Sequence, residues 1–135
     1  MQDGDIAVSR SLWLQTEGLT FREESDNPEA LIKFLARNPG LSFVIEDATG
    51  RLLGSILCGH DGRRGFVYHL AVLSTHRRRR YGTALVDAAL RALSQQGITR
   101  CHTLVRLGND GAARFWHRMH GNFRSDVGVL TIEVV

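Results

Sequence analysis

The run LAVLSTHRRRRYGTAL, Leu70 to Leu85, decides how the rest of the chain is read. Its first residues end an almost wholly apolar stretch, GFVYHLAVL from Gly65 to Leu73, of the kind a buried strand shows. Its last residues open a helical pattern, in which Tyr81, Ala84, Leu85, Ala88 and Ala92 recur at spacings of three and four before Gly97. Four consecutive arginines lie between. A loop from a strand's end to a helix's start aims backbone N–H groups and the helix dipole at one point, which makes it a ready anion site. Gly82, with no Cβ, lets a ligand come close to the backbone. The guanidinium forks of Arg77, Arg78, Arg79 and Arg80 suit phosphate oxygens. Four arginines alone read as a solvated charge run; at this junction they coincide with unpaired N–H groups.

Working outward, the upstream pattern predicts an antiparallel meander. Phe43 and Ile45 alternate with Ser42, Val44 and Glu46, DATG makes a turn, RLLGSILCGH is a second strand, and Asp61-Gly62 turns into the third. Earlier still, residues 5–16 read as a short helix with Ile6, Leu12 and Trp13 apolar. The polar stretch TEGLTFREESDNP then leads to a second helix, capped by Asn27 with Pro28 in its first turn and stopped at Asn38-Pro39-Gly40. Downstream, ITRCHTLVRL alternates as a strand, reached from the third by a right-handed parallel crossover. A helix follows from Asn109, with Ala112, Phe115, Trp116 and Met119 on one face, and VGVLTIEVV, residues 127–135, is expected to close the sheet. The result is an α/β chain, a mixed sheet covered by helices.

Composition excludes several classes. With 135 residues, 43% hydrophobic and 23% charged, the chain has the profile of one globular domain, residues 1–135. No apolar run approaches the ~20 residues that span a bilayer, and the acidic start MQDGDIAVSRSLWL is unlike a signal peptide. Cys58 and Cys101 sit in apolar strand-like segments, so two buried thiols in a reducing, cytoplasmic setting are expected. The net charge of +3 is focused at Arg63, Arg64 and Arg77 to Arg80, which points to an anionic ligand without demanding nucleic acid.

Two segments resemble the GNAT superfamily of N-acetyltransferases. In that family an apolar strand is followed by Arg/Gln-x-x-Gly-x-Gly/Ala and a helix; Arg77 stands at the leading position and Gly82 at the second glycine. Arg80 occupies the first glycine position, so the loop keeps its shape only if Arg80 adopts the backbone geometry glycine usually provides. NDGAARFWHRMHGNF resembles the family's Asn-x-x-Ala-x-x-Phe-(Tyr/Trp) helix, with Asn109, Ala112, Phe115 and Trp116 in place and His120 where a glycine is usual. The resemblance covers roughly residues 5–135. It implies a GNAT-like acyl-CoA N-acyltransferase fold, an antiparallel meander followed by a parallel β-α-β crossover. This chain starts almost directly in the family's first helix, so either the frame is short or the first edge strand is missing, and an exposed edge could pair two copies as a homodimer.

The same resemblance implies direct attack of an amine on the thioester of acetyl-CoA. Strand residues Leu70, Ala71 and Val72 are expected to serve the pantetheine and acetyl oxygen through the N–H groups of Leu70 and Val72. N–H groups from Arg77 through Tyr81 and Gly82 to Thr83 hold the pyrophosphate, and Asn109, Phe115 and Trp116 border the cofactor. Many relatives carry a tyrosine acid at the place of Trp116, which cannot donate a proton in that way. Tyr68 is the candidate catalytic side chain. His69 is chemically the better base, but strict alternation turns it to the opposite face, where it reads as a satisfied, half-buried histidine. Glu23 and Glu24, with Asp26, either line an acceptor entrance or form a solvated loop. The spacing of His76, His117 and His120 fits no zinc site. Two alternatives accompany this reading: an acyl-CoA binder without turnover, and a basic nucleic-acid-binding module, for which the chain offers no aromatic stacking platform.

Overall fold

The computed structural model describes residues 1–134, and Val135 lies outside them. Helix α1, Ile6–Gln15, follows a short 3-10 turn at Asp3–Asp5; α2 is a single turn, Glu23–Asp26, and α3 runs Pro28–Arg37. Strands β1 (Phe43–Glu46), β2 (Leu52–His60) and β3 (Gly65–Val72) come next. Helix α4 (Tyr81–Gln95), β4 (Cys101–Thr103) and α5 (Asp110–Arg118) complete the order. The four strands form one sheet in the order β1-β2-β3-β4, antiparallel across the meander and parallel between β3 and β4.

Local chemistry accounts for the boundaries. Asn27 Oδ1 accepts from Ala30 N–H at 2.9 Å and Pro28 begins α3, as cap and first-turn residues should. Asp47 Oδ1 gathers the N–H groups of Thr49 and Arg51 in the turn from β1 to β2. Gly97, at φ 81, lets α4 end with Ile98 N–H bonded back to Leu93 O at 3.0 Å.

Two cores lie on opposite faces of the sheet. On one, Leu85, Val86, Ala89 and Leu93 of α4 pack on Ile56, Cys58 and Val67. On the other, Trp13 of α1 and Leu31 of α3 pack on Leu57 and Ala71. Burying one side chain of this size stabilises by about 1.5–3 kcal/mol, so these contacts hold both helical layers. The indole N–H of Trp13 donates to Ser55 Oγ at 2.9 Å, which satisfies two polar groups that burial would otherwise penalise.

Four expectations need correction. The strand expected over residues 127–135 is absent from the described part: residues 119–134 have neither helix nor strand, and Val127, Val129, Leu130, Ile132 and Val134 are exposed. A strand is stabilised by a neighbour's hydrogen bonds, and β4, three residues long, offers too short an edge to recruit one. The same shortness corrects the run from Ile98 to Leu107, of which only Cys101–Thr103 pairs with β3. The acidic stretch after α1 is not wholly loop, because α2 forms within it.

Strict alternation along β3 is the fourth. Tyr68 pairs with Leu57 and Ala71 with Ser55, so His69 and Leu70 together face Ile56 across a β-bulge. His69 takes φ 48, in the left-handed region that few non-glycine residues enter. Tyr68 packs edge-on to Phe34 of α3 while the His69 ring lies 4.9 Å from Trp13 of α1. Both side chains therefore point to the α1–α3 face, and His69 is not on the opposite side from Tyr68.

Candidate functional site

The loop between β3 and α4 has the geometry its sequence calls for. After a 3-10 turn at Ser74–His76 the four arginines are exposed, and Arg78 and Arg80 both sit in the left-handed region, at φ 63 and φ 62. Arg80 thus takes the conformation a glycine would supply, at a cost of roughly 1–2 kcal/mol for a residue with a Cβ. Among the described residues, no N–H group from Arg77 to Thr83 donates to another backbone group; the first such bond is Ala84 N–H to Arg80 O at 3.0 Å. Arg80, at the cap position of α4, makes no side-chain cap. A continuous row of free donors therefore meets the positive end of a fifteen-residue helix, with four guanidiniums around it. At Gly82 an added Cβ would stand 3.4 Å from the Phe115 ring, so a methyl group would just touch α5 and a larger side chain would have to turn toward the loop.

Beyond this loop the sheet opens. β3 and β4 pair only from Gly65 with Cys101 to Val67 with Thr103, and then separate. Leu73 N–H donates to Leu53 O at 2.8 Å, and Ala71 is paired with Ser55 on β2. Because successive N–H groups alternate in direction, those of Leu70 and Val72 turn away from β2 into the gap that β4 has left. An open cleft of about 780 Å³ occupies this gap and the adjoining α1–α3 face. Its walls include Tyr68, His69 and Leu70 on one side, Leu104, Val105 and Trp116 on the other, and the segment from Thr16 to Thr20 as a lip.

The candidate side chains divide within this cleft. Asn109 lines it and caps α5, its Oδ1 accepting from Ala112 N–H at 3.1 Å, so its contribution is to place that helix. Trp116 lines it and meets Phe115 edge-on at 5.2 Å, while Phe115 packs toward α4 and Gly82. Tyr68 lines it too; burial, then the Cys101 and Cys58 thiols, push its phenol up, so it keeps its proton at neutral pH and suits a donor better than a base. Glu23 and Glu24 are not among the cleft residues, and both Glu23 oxygens lie 3.1 Å from Arg10 Nη2. Asp26, from the same acidic stretch, does line the cleft. Burial pushes the Cys58 thiol up to about 12 and the Cys101 thiol to about 11, so neither is a nucleophile near neutral pH. No group of three or more metal-ligating side chains occurs among the described residues, and no helix there is long and apolar enough to cross a membrane.

Alternation alone missed the pairing of His69 with Asp26. His69 Nε2 and Asp26 Oδ1 are 2.8 Å apart, with side chains 12% and 8% exposed. The only cue in the sequence was the presence of a histidine and an acidic cluster forty-three positions apart, which carries no spatial information.

Comparison with known proteins agrees with this geometry. An acetyltransferase of Pectobacterium atrosepticum is 28% identical over 115 residues, which cover 85% of this chain and 79% of that protein. Ard1 from Thermoplasma volcanium superposes with a TM-score of 0.76 at 22% identity, over 88% of this chain and 77% of that one. The PaiA N-acetyltransferase from Thermoplasma acidophilum, in complex with coenzyme A, gives a TM-score of 0.69 at 18% identity, over 88% and 84%. The two structural likenesses are of fold. The profile described as "Acetyltransferase (GNAT) family" matches residues 7–121, a span that includes the arginine–glycine loop, the opened sheet and α5. With most of the chain so matched, this protein belongs to the GNAT family of acetyltransferases.

Proposed function

We propose that this acetyltransferase moves the acetyl group of acetyl-CoA to an amine by direct attack, with backbone groups as its principal cofactor ligands. The chain is an acetyl-CoA-dependent enzyme by family; the acceptor and the residue roles are our reading. The observation that carries it is the free row of N–H groups from Arg77 to Thr83 beside the split between β3 and β4. The pyrophosphate sits on that row, where unpaired donors and the α4 dipole favour charge. Arg77 to Arg80 add long-range attraction from exposed positions. The pantetheine arm then runs down the gap as a surrogate strand, meeting the N–H groups of Val72 and Leu70. One of these donates to the thioester oxygen, where negative charge grows as the amine adds. Trp116 and Phe115 form the apolar wall, and holding both reactants in one cleft supplies the main rate term. Tyr68, with its proton retained, is placed to donate toward the departing thiolate.

The acceptor enters from the α1–α3 face, past the lip at Thr16 to Thr20. The two free, protonated cysteines accord with a reducing compartment such as the cytoplasm. Calorimetric titration with acetyl-CoA, followed by thiol release with a panel of small amines and peptide amino termini, tests the proposal. Binding and amine-dependent release are expected. Binding without release from any amine would reduce the chain to an acyl-CoA binder.

A further inference from the structure

The buried pair His69–Asp26 lies on the acceptor side of the cleft, and nothing in the backbone scheme above uses it. Three features require an account. First, β3 leaves regular pleating at this point, and His69 holds φ 48, a conformation that costs energy for a residue with a Cβ. Second, the bulge does two things at once: it brings the His69 ring to the cleft and leaves the next N–H, that of Leu70, facing the gap. Third, the ring is held on two sides, by Trp13 at 4.9 Å and by Asp26 Oδ1 at 2.8 Å from Nε2.

The hydrogen bonds determine which nitrogen is available. Asp26 Oδ2 already accepts from Arg22 N–H at 2.8 Å, and Arg10 Nε donates to Asp26 O at 2.8 Å, so its carboxylate and backbone are anchored. An ionised carboxylate only accepts. Nε2 of His69 must therefore carry the hydrogen, and the neutral ring keeps its lone pair on Nδ1. Among the described residues Nδ1 has no protein partner, and it is not among the side-chain atoms that are both buried and unpaired. It therefore opens toward the cleft. The charged or titratable groups around the ring and cleft are Arg10 of α1, Glu17 and Arg22 of the segment after it, Glu23, Glu24 and Asp26 of α2, Tyr68 of β3 and Arg106 beyond β4, while Glu29, Lys33 and Arg37 of α3 are exposed. Glu23 is engaged by Arg10. The β2 residues opposite the bulge, Ser55 to Leu57, bring no charge.

We infer that His69 is the proton acceptor for the incoming amine and that Asp26 is its positioning residue. The inference rests on the acetyl-transfer reading above. An amine arrives as ammonium, whose lone pair is occupied by a proton. Nδ1 of His69 takes that proton and later returns it to water. The free amine attacks the thioester carbon; the C–N bond forms as the C–S bond breaks, and coenzyme A leaves as thiolate with the electron pair. Tyr68 gives its hydroxyl proton to that sulfur and is refilled by the second amine proton, leaving the thiol and a neutral amide. Imidazole suits the step because it exchanges protons near neutral pH, and one of the two candidate oxyanion donors, the N–H of Leu70, is the next along the chain.

Two measurements test this. Long-range 1H–15N spectra of the imidazole rings, assigned with His69→Asn, should show His69 as the Nε2–H tautomer in the native protein and altered in Asp26→Asn. An Nδ1–H ring in the native protein overturns the inference whatever the acceptor proves to be. In kinetics with an accepted amine, His69→Asn should lower kcat/KM about a hundredfold or more at pH 7, leave acetyl-CoA affinity within about twofold, and lose less at higher pH, where amines arrive deprotonated. Asn is chosen because it tolerates a positive φ, and unfolding midpoints check that the variant is folded. Asp26→Asn should give a smaller loss and move the acidic limb of the pH profile. Undiminished turnover by a folded His69→Asn overturns the base alone; a native protein that binds acetyl-CoA and acetylates no amine overturns the enzyme reading and the base with it.

Discussion

The end of β3 and its middle prepare for the two reactants by different means. At the Val72 end, the loop from Arg77 to Thr83 offers main-chain N–H groups, and its four arginine side chains are exposed. At His69, in mid-strand, a side chain stands beside the Leu70 N–H and is held from behind by Trp13, Asp26 and the bulge. Main-chain recognition depends on φ and ψ, so arginines can stand at Arg78 and Arg80 provided they accept left-handed geometry. Side-chain recognition depends on what lies behind the side chain, so it draws on α1, α2 and β2 at once. The phosphate end should therefore tolerate changes of side chain but not of backbone shape, and the acyl end at His69 should tolerate neither.

The largest effect should come from removing the support behind His69. Trp13→Ala takes out a fully buried indole and leaves Ser55 Oγ without its donor. It should lower stability by about 3–5 kcal/mol in urea unfolding, while any folded protein still binds acetyl-CoA nearly as well. A change under about 0.5 kcal/mol, the size of a surface substitution, would mean the acyl end is not scaffolded in this way. Next is the backbone at Gly82. Gly82→Val places a branched side chain against Phe115 and over the free N–H groups. Acetyl-CoA affinity should fall about a hundredfold by calorimetry, or ~2.7 kcal/mol; an unchanged value breaks the contrast at its root. The smallest effect has the opposite sign. Arg80→Gly relieves the left-handed strain but frees the unfolded chain, so a net gain of about 0.5–1 kcal/mol is expected, with affinity within threefold. A tenfold weaker complex would instead make the Arg80 guanidinium a direct phosphate ligand and sharpen the comparison.

Much of this was legible in the residues. The meander, the α4 crossover and the Asn109 helix follow from periodicity and from turn and cap residues, which act over a few positions. The cofactor loop was legible for the same reason, since strand, arginines, Gly82 and helix are contiguous. Where the reading went wrong, the deciding partner was remote. The tail over residues 127–134 has strand-like alternation but no neighbour with which to pair. His69 looked turned away from Tyr68 because a bulge is set by the register against Ser55 and Leu57, not by the β3 residues alone.

What the chain's order of residues determined by itself is the row of free N–H groups that we assign to phosphate, because a strand's end, a loop and a helix's first turn are local and their free N–H groups come with the backbone. What only the tertiary structure decided is the His69 side of the cleft, which we assign to the acceptor. The encounter of His69 with Asp26, and the side of the sheet on which it happens, depends on packing between segments far apart in sequence, and no local pattern encodes that distance.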